Sequence, residues 1–277
     1  MRTLIAGCGY VGAALGEFLA RDGHAVWGIM RNAESLAGIQ TISADVTRPE
    51  TLSQLPIGLD AVVYAVGAGG YDEARYRAVY VDGVRNLLDA LISQRQQPRR
   101  FVFVSSTGVY AQHSGEWVDE TSPAEQTHFP GATLLAGERL AHSCAYPATV
   151  VRFGGIYGPG RTRLIDSVRD GSATVSTKQS YINLIHRDDC AGILHHVLAS
   201  DAPQSLYLGV DNQPVDRRIL LEWVAERICV APPRVVENSE STRGARSNKR
   251  CNNARITAEG YSFRYPTFRE GHGGLIG

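Results

Sequence analysis

Apolar residues in this chain come in short runs separated by amphipathic stretches. Thr3 to Ala6 is an apolar run that ends in a glycine turn. Tyr10 to Arg21 follows with Val11, Leu15, Phe18 and Leu19 on one helical face, and Asp22-Gly23 ends it. Ala25 to Met30 reads as a second strand. Ala61 to Val66, Phe101 to Val104 and Ala148 to Arg152 read as further strands, and Tyr76 to Ser93 as one long helix with Val84, Leu87, Leu88, Leu91 and Ile92 inward. Strands alternating with helices predict an α/β fold with a parallel sheet and right-handed crossovers. Runs that are apolar on both faces predict helices on both sides of that sheet, a doubly wound arrangement. Beyond Phe153 the pattern becomes irregular. Leu164–Val168, Cys190–Ala199 and Arg218–Ile228 read as helices, Ser205–Val210 as a strand, and Pro232-Pro233 opens a polar stretch, Asn238 to Asn253. The expected organisation is a sheet domain over residues 1–155 and a smaller, interleaved lobe over 156–277. Segments within about 180–210 return to the sheet.

The 277 residues are 43% hydrophobic and 20% charged, enough to bury a sizeable core. The formal net charge is zero, which argues against nucleic acid as a partner. Cys8, Cys144, Cys190, Cys229 and Cys251 are odd in number and show no metal-ligand spacing, so reduced thiols and no metal site are expected. Leu4-Ile5-Ala6-Gly7-Cys8 resembles a lipoprotein cleavage site, but the apolar run before Cys8 is too short for a secretory peptide. No apolar stretch reaches the roughly 18 residues of a membrane span. A cytoplasmic protein without a membrane partner is expected.

Gly7-Cys8-Gly9-Tyr10-Val11-Gly12 is a GxGxxG motif placed between the first strand and the first helix. In that context the glycines allow a tight turn, close backbone approach to a pyrophosphate and close helix–strand packing. The helix N-terminus then offers unpaired N–H groups to the phosphates. Gly7, Gly9, Tyr10, Val11 and Gly12 are therefore candidate cofactor residues on a Rossmann-type sheet. An NAD site usually carries an acidic residue at the end of the second strand; here Met30 is followed by Arg31 and Asn32. No carboxylate stands there to repel a 2′-phosphate, and Arg31 either pairs with one or is a solvated charge. The balance favours NADP, with NAD the alternative. Asp45, beside Val46, either accepts from an adenine amino group or closes the turn before Pro49. Ala65, Val66 and Gly67, at the end of the AVVYAV run and leading into Ala68-Gly69-Gly70, form a second place where backbone can lie close to the ligand.

Together with these features, further motifs give a resemblance over nearly the whole chain. They are Val104-Ser105-Ser106-Thr107-Gly108-Val109-Tyr110, then Gly115 to Pro123, then Arg152 with Tyr157-Gly158-Pro159-Gly160. Asn183 through Ile185-His186-Arg187-Asp188-Asp189 and Arg264-Tyr265-Pro266 complete the series. The chain resembles the extended short-chain dehydrogenase/reductases, the epimerase/dehydratase group, with a smaller C-terminal substrate lobe. The resemblance implies that Val104, Ser105, Phe153 and Gly154 contribute to the cofactor site, and that Ser106 polarises the reacting group with Thr107 beside it. Both hydroxyls could equally satisfy backbone at the strand end.

The departures matter as much. The usual first loop of the family is one residue longer. Pro130 and Leu134 fall where the family's Tyr-x-x-x-Lys acid/base pair is expected, and Tyr80 where it usually carries Asn. The pattern therefore resembles the atypical members. Tyr110, His113 and His128 are weaker candidates for proton transfer. Gly155, Arg161, Asn183 and Arg250 are candidate substrate residues; Arg163, Arg246 and Lys249 also lie in the lobe and its loops. Asp188 and Asp189 read as the start of a helix. The expectation is an NAD(P)-dependent oxidoreductase or epimerase-like enzyme acting on a small polar, sugar-related substrate with a non-standard acid/base. The alternative is a non-catalytic NADP-binding sensor. Helices such as Tyr76–Ser93 and Glu138–Tyr146 would pair in a homodimer.

Overall fold

A computed structural model describes residues 1–237 and 248–276. The chain divides into two compact units. The first comprises Met1–Val109, Ala124–Arg152 and Cys190–Tyr207; the second comprises Tyr110–Pro123, Phe153–Asp189 and Leu208–Gly277. Tyr110–Pro123 and the corner at Phe153–Gly155 thus fall in the second unit, a finer interleaving than a boundary at residue 155.

The first unit carries most of a seven-stranded sheet; Phe153 and Leu208–Gly209, the ends of its last two strands, fall in the second. Strands β1 (Arg2–Ala6), β2 (Ala25–Met30), β3 (Gln40–Ser43), β4 (Ala61–Tyr64) and β5 (Arg100–Ser106) are followed in the chain by Ala148–Phe153 and Leu206–Gly209. The spatial order is Leu206–Gly209, Ala148–Phe153, β5, β4, β1, β2, β3. Chain direction along the sheet reverses between β1 and β4, the switch point at which open parallel sheets bind ligands. β1 pairs in parallel with both β2 and β4, Ala6 lying opposite Ile29 and Tyr64. All four residues of β4 are buried, as strands covered by helices on both faces require. The core around it includes Leu4, Ile29, Val62, Tyr64, Leu87, Leu91, Phe101 and Phe103.

Helix α1 (Tyr10–Arg21) buries Val11, Ala14, Leu15 and Leu19 as its periodicity predicts. The expected long helix Tyr76–Ser93 is instead three pieces. Asp72 caps α2 (Glu73–Arg77) by accepting from the Arg75 N–H at 2.8 Å. A π-turn follows over Ala78–Asp82, and α3 (Gly83–Ser93) completes the stretch. The buried Tyr64 hydroxyl donates to the Val79 carbonyl inside the π-turn, and a side chain bonded into the helical ladder is a recognised cause of such widening. Periodicity could not show it, because the donor comes from β4. Helix α4 (Phe129–Ser143) has Pro130 in its first turn, where a missing N–H costs nothing.

The second unit is built from pairs of short strands. Glu116–Val118 pairs in parallel with Lys249–Cys251, so the polar stretch read over Asn238–Asn253 contains a strand; its residues 238–247, with Arg246, lie outside the described residues. Gly155–Tyr157 pairs with Leu184–His186, Tyr181–Ile182 with Val215–Asp216, and Thr174–Ser176 with Arg234–Val236. Helices Arg163–Arg169, Arg217–Arg227 and Phe268–Ile276 pack Ile165, Val168, Leu220, Leu221, Val224 and Phe268 into its core. Asp189 does not cap the helix Arg187–Ala199. Its carboxylate accepts from the Tyr261 hydroxyl and from the N–H groups of Arg264 and Tyr265 at 2.8–2.9 Å, tying down the C-terminal segment. Asp188 and Asp189 nevertheless both stand in the first turn of that helix, where a negative charge suits the dipole.

Candidate functional site

In the first unit the site begins at the turn from β1 into α1. Gly7 has φ +88°, and the N–H groups of Gly7 and Cys8 both donate to the Ile29 carbonyl. A Cβ on Gly7 would lie 2.6 Å from Ala65 C and Val66 N, and one on Gly12 would lie 2.3 Å from the Gly7 carbonyl oxygen. These two glycines are required by close backbone packing. Gly9 and Gly67 differ: a Cβ on either would meet nothing within 4 Å. Glycine there leaves open space beside the switch point. Gly9 is the N-cap of α1 and supplies no side-chain cap, and the first turn carries no acidic residue. The first amide hydrogens of a helix have no partner within it, and the positive end of the helix dipole lies at the same turn. Tyr10 is half-buried and Val11 buried beside them. Cys8 lies beneath the turn, buried against Gly28, and burial pushes its thiol pKa up to about 11. It packs and does not react.

Arg31 and Asn32, just past β2, are exposed, and the Arg31 guanidinium forms no ion pair with another described residue. Asp45 makes the turn: its Oδ1 accepts from the Thr47 N–H and hydroxyl at 2.9 and 2.8 Å, and its carbonyl accepts from the Arg48 N–H. Val46 is buried, its carbonyl accepting from the Asn86 amide. Ala65 and Val66 are half-buried and Gly67 exposed at the end of β4, while Val104 is half-buried near the end of β5. Tyr80, half-buried in the π-turn, hydrogen-bonds the Ala68 backbone.

Ser106 ends β5. Its Oγ accepts from the Gly108 N–H at 3.1 Å, so the backbone holds one lone pair and leaves the hydroxyl proton to donate elsewhere. Thr107 is buried in the turn that follows. The Ser105 hydroxyl is committed to the interior: it donates to Glu138 Oε1. Glu138 in turn takes two bonds from Arg152, from Nε at 2.9 Å and Nη2 at 2.6 Å. All three side chains are buried, and the pair joins the end of β5, the middle of α4 and the strand Ala148–Phe153. Sequence reasoning singled out Ser105 and Arg152 by motif and missed Glu138; a lone Glu inside the apolar helix pattern of α4 was the available signal. Pro130 is half-buried in the first turn of α4 and Leu134 is buried in its second, so neither position carries a proton. His128 is exposed before the helix.

In the second unit, Tyr110 is fully buried and its hydroxyl donates to the Asp119 carbonyl at 2.8 Å, which commits it to packing. His113 is exposed, with Nδ1 beside the Ala111 carbonyl. The Phe153 ring is buried against Gly209, so only its backbone can line a site. Gly154 and Gly155 lie against the Asn183 carbonyl, which accepts from the Gly155 N–H at 2.7 Å. The Asn183 side chain is engaged on both sides: its amide donates to the Lys249 carbonyl at 3.0 Å, and its Oδ1 accepts from the Cys251 N–H at 2.7 Å. It is a strap rather than a free substrate ligand. Arg250 donates to the Gly115 carbonyl and lies 4.9 Å from the ring centroids of both Trp117 and Tyr181. Arg161 is exposed after the Tyr157-Gly158-Pro159-Gly160 turn. Among the described residues no group of three or more His, Cys, Asp or Glu could hold a metal, and no helix is long and apolar enough to cross a membrane.

A glycine cradle at the switch point of a parallel sheet defines a nucleotide-binding Rossmann-like protein. The chain belongs to the NAD dependent epimerase/dehydratase family, whose profile matches residues 3–209. A solved structure from Methylobacillus flagellatus, described as an NAD-dependent epimerase/dehydratase, is 38% identical, with a TM-score of 0.84 over 99% of this chain and 97% of that one. The human epimerase family protein SDR39U1, solved with NADPH, is 20% identical and has a TM-score of 0.83 over 100% and 99%. The Bordetella bronchiseptica enzyme WbmG, solved with NAD, is 19% identical with a TM-score of 0.83 over 100% and 93%. The last two likenesses concern the fold alone. No curated protein matches the sequence.

Proposed function

We propose that this protein is an NADP-dependent oxidoreductase or epimerase-like enzyme acting on a small polar substrate. The observation that carries this reading is the uncapped start of α1, with Gly9 and Gly67 open where Gly7 and Gly12 are tight. Open glycines at a helix mouth serve a ligand, since packing does not require them. The residues fit a dinucleotide. The Gly9–Gly12 turn would hold the pyrophosphate, Arg31 and Asn32 the 2′-phosphate, Asp45 and Val46 the adenine, and Ala65 to Gly67 the backbone beyond. NADPH has been seen on the human family protein and NAD on WbmG, which supports a nicotinamide cofactor. When bound, that cofactor supplies hydride at its nicotinamide ring. Ser106 would donate its free proton to a substrate oxygen and hold it in place.

The test separates cradle from turn. Gly9→Ala puts a methyl into open space, so the melting temperature should stay unchanged while NADP⁺ affinity by calorimetry falls at least about tenfold, the loss of roughly 1.4 kcal/mol. Unchanged affinity would overturn the reading. Arg31→Ala should weaken NADP⁺ while leaving NAD⁺ alone; equal loss for both would remove the NADP preference. A second reading, a non-catalytic NADP sensor, draws on Pro130 and Leu134, which leave α4 without an acid/base pair. It requires different affinities for NADP⁺ and NADPH, because a ligand shifts only what it binds differentially. Equal affinities would eliminate it.

A further inference from the structure

A cluster of aromatic rings in the first unit runs from its interior to its surface. Tyr80, half-buried in the π-turn, hydrogen-bonds the Ala68 backbone. The Tyr76 ring lies 5.3 Å from it and 5.4 Å from Phe129, the first residue of α4. Tyr71 closes the group at 4.8 Å from Phe129 and 6.4 Å from Tyr76, and is 54% exposed. A single exposed apolar side chain needs no explanation, but this ring is the outer member of a continuous cluster. Packing alone favours covering such a ring, since leaving it in water forfeits the burial its neighbours gain.

The cluster stands beside the proposed cofactor site. β1, β4 and β5 are parallel neighbours, so the glycine turn after β1, the loop 67–71 and Ser106 all leave the sheet at one edge. Gly7 packs against Ala65 and Val66, which ties the start of that loop to the glycine turn. On the other side, a Cβ on Gly131 would lie 3.1 Å from the Gly108 carbonyl oxygen, which seats the start of α4 against the turn after Ser106. The rings are therefore bracketed by the glycine loop and the serine turn, all within the first unit. Arg75 adds a charge. Its guanidinium rests over Gly69 and Gly70, with Nη2 3.3 Å from where a Gly69 Cβ would stand. It forms no ion pair with another described residue.

We propose that the exposed Tyr71 ring, with Arg75 beside it, binds the substrate through an aromatic ring that carries a carboxylate. This rests on the oxidoreductase reading above and narrows its small polar substrate to an aromatic acid. The incoming ring joins the cluster at the tilted or edge-to-face separations that the resident rings already keep. The carboxylate meets the guanidinium, whose paired donors match it. A sugar ring is served less well. Its hydroxyls need side-chain partners, and those bordering the rings are engaged. Asp72 Oδ1 caps α2, Gln126 Oε1 accepts from the Thr127 N–H, and Tyr80 holds Ala68.

The probes are benzoate, cyclohexanecarboxylate and glucuronate, carboxylates of equal charge and similar size, titrated by NMR into protein saturated with NADP⁺. Benzoate should bind at least about fivefold more tightly than either of the others, the increment of one aromatic contact. Tyr71→Phe should keep that preference and Tyr71→Ala abolish it, both with the melting temperature unchanged. Arg75→Gln should weaken benzoate about threefold, the scale of an exposed ion pair, and leave benzyl alcohol unaffected. Glucuronate bound more tightly than benzoate, or benzoate bound equally by Tyr71→Ala, overturns the proposal. So does a fall in NADP⁺ affinity in Tyr71→Ala, which gives the ring to the cofactor. A changed sedimentation coefficient in that variant gives the ring to a second copy of the chain and likewise overturns it. No NADP⁺ binding by the unaltered protein refutes the oxidoreductase reading, and the substrate role with it. NADP⁺ bound without benzoate refutes the ring site alone.

Discussion

Replacing Glu138 by alanine should be among the most damaging single changes in the first unit. The carboxylate is 4% exposed and receives three hydrogen bonds, two from Arg152 and one from Ser105. Its removal leaves a guanidinium that is 6% exposed without its bidentate partner. Breaking one side of a buried ion pair costs about 3–5 kcal/mol, mostly because the surviving charge stays desolvated. For a unit of this size each kcal/mol moves the midpoint by about 2–4 °C, so a fall on the order of 10 °C is expected by scanning calorimetry. The sharper measurement is the double variant Glu138→Leu with Arg152→Met. With both charges gone and the volume roughly kept, most of the loss should return, since an apolar pair of similar size is often as stable as a buried ion pair. A Glu138→Ala loss below about 1 kcal/mol would refute the argument. So would a double variant whose loss equals the sum of the singles, because that would mean the groups do not couple.

Gly12→Ala, with its methyl 2.3 Å from the Gly7 carbonyl, should lower both the melting temperature and NADP⁺ affinity, in contrast to Gly9→Ala; calorimetry on the two variants checks the distinction. Asp211 is 2% exposed, and its Oδ2 has no hydrogen-bond partner among the described residues. Burial, with the Asp189 and Glu270 carboxylates adding to it, pushes its pKa up to about 8 from 3.8. A carboxyl raised on folding contributes stability that is complete below its unfolded pKa and lost as pH rises toward the folded value. Urea midpoints should therefore fall between roughly pH 4 and 8. Asp211→Asn, which keeps the Oδ1 acceptor for the Gln213 N–H, should flatten that fall and raise stability at pH 8; an unchanged pH dependence would count against it.

The sheet was legible because its strands are continuous apolar runs of limited length between turn residues, as in Ala61–Tyr64. The tight turn from β1 into α1 was legible because Gly7, Gly9 and Gly12 stand in one short motif. What stayed hidden depends on partners distant in sequence. Tyr64 reaches 15 residues ahead to open the π-turn at Val79. Asp189 stands in the first turn of a helix as expected, but its side-chain partners lie more than 70 positions later, beyond the reach of local pattern. Ser105 and Asn183 carry side chains that suit a ligand, and only coordinates show that Glu138 and the Lys249 strand already claim them. Lys249 itself sits in a polar stretch whose composition suggests a surface.

Each unit is assembled from three separate stretches of chain that alternate along the sequence. Neither half can be excised as a single fragment by cutting at one point. During synthesis the sheet unit can close once its final stretch, Cys190–Tyr207, emerges, while the other must wait for the stretch that begins at Leu208. A nascent chain will therefore hold unpaired hydrophobic surface for most of translation. Exchange of either unit as one contiguous module is likewise impossible at a single junction, because the stretches of the two units alternate along the chain.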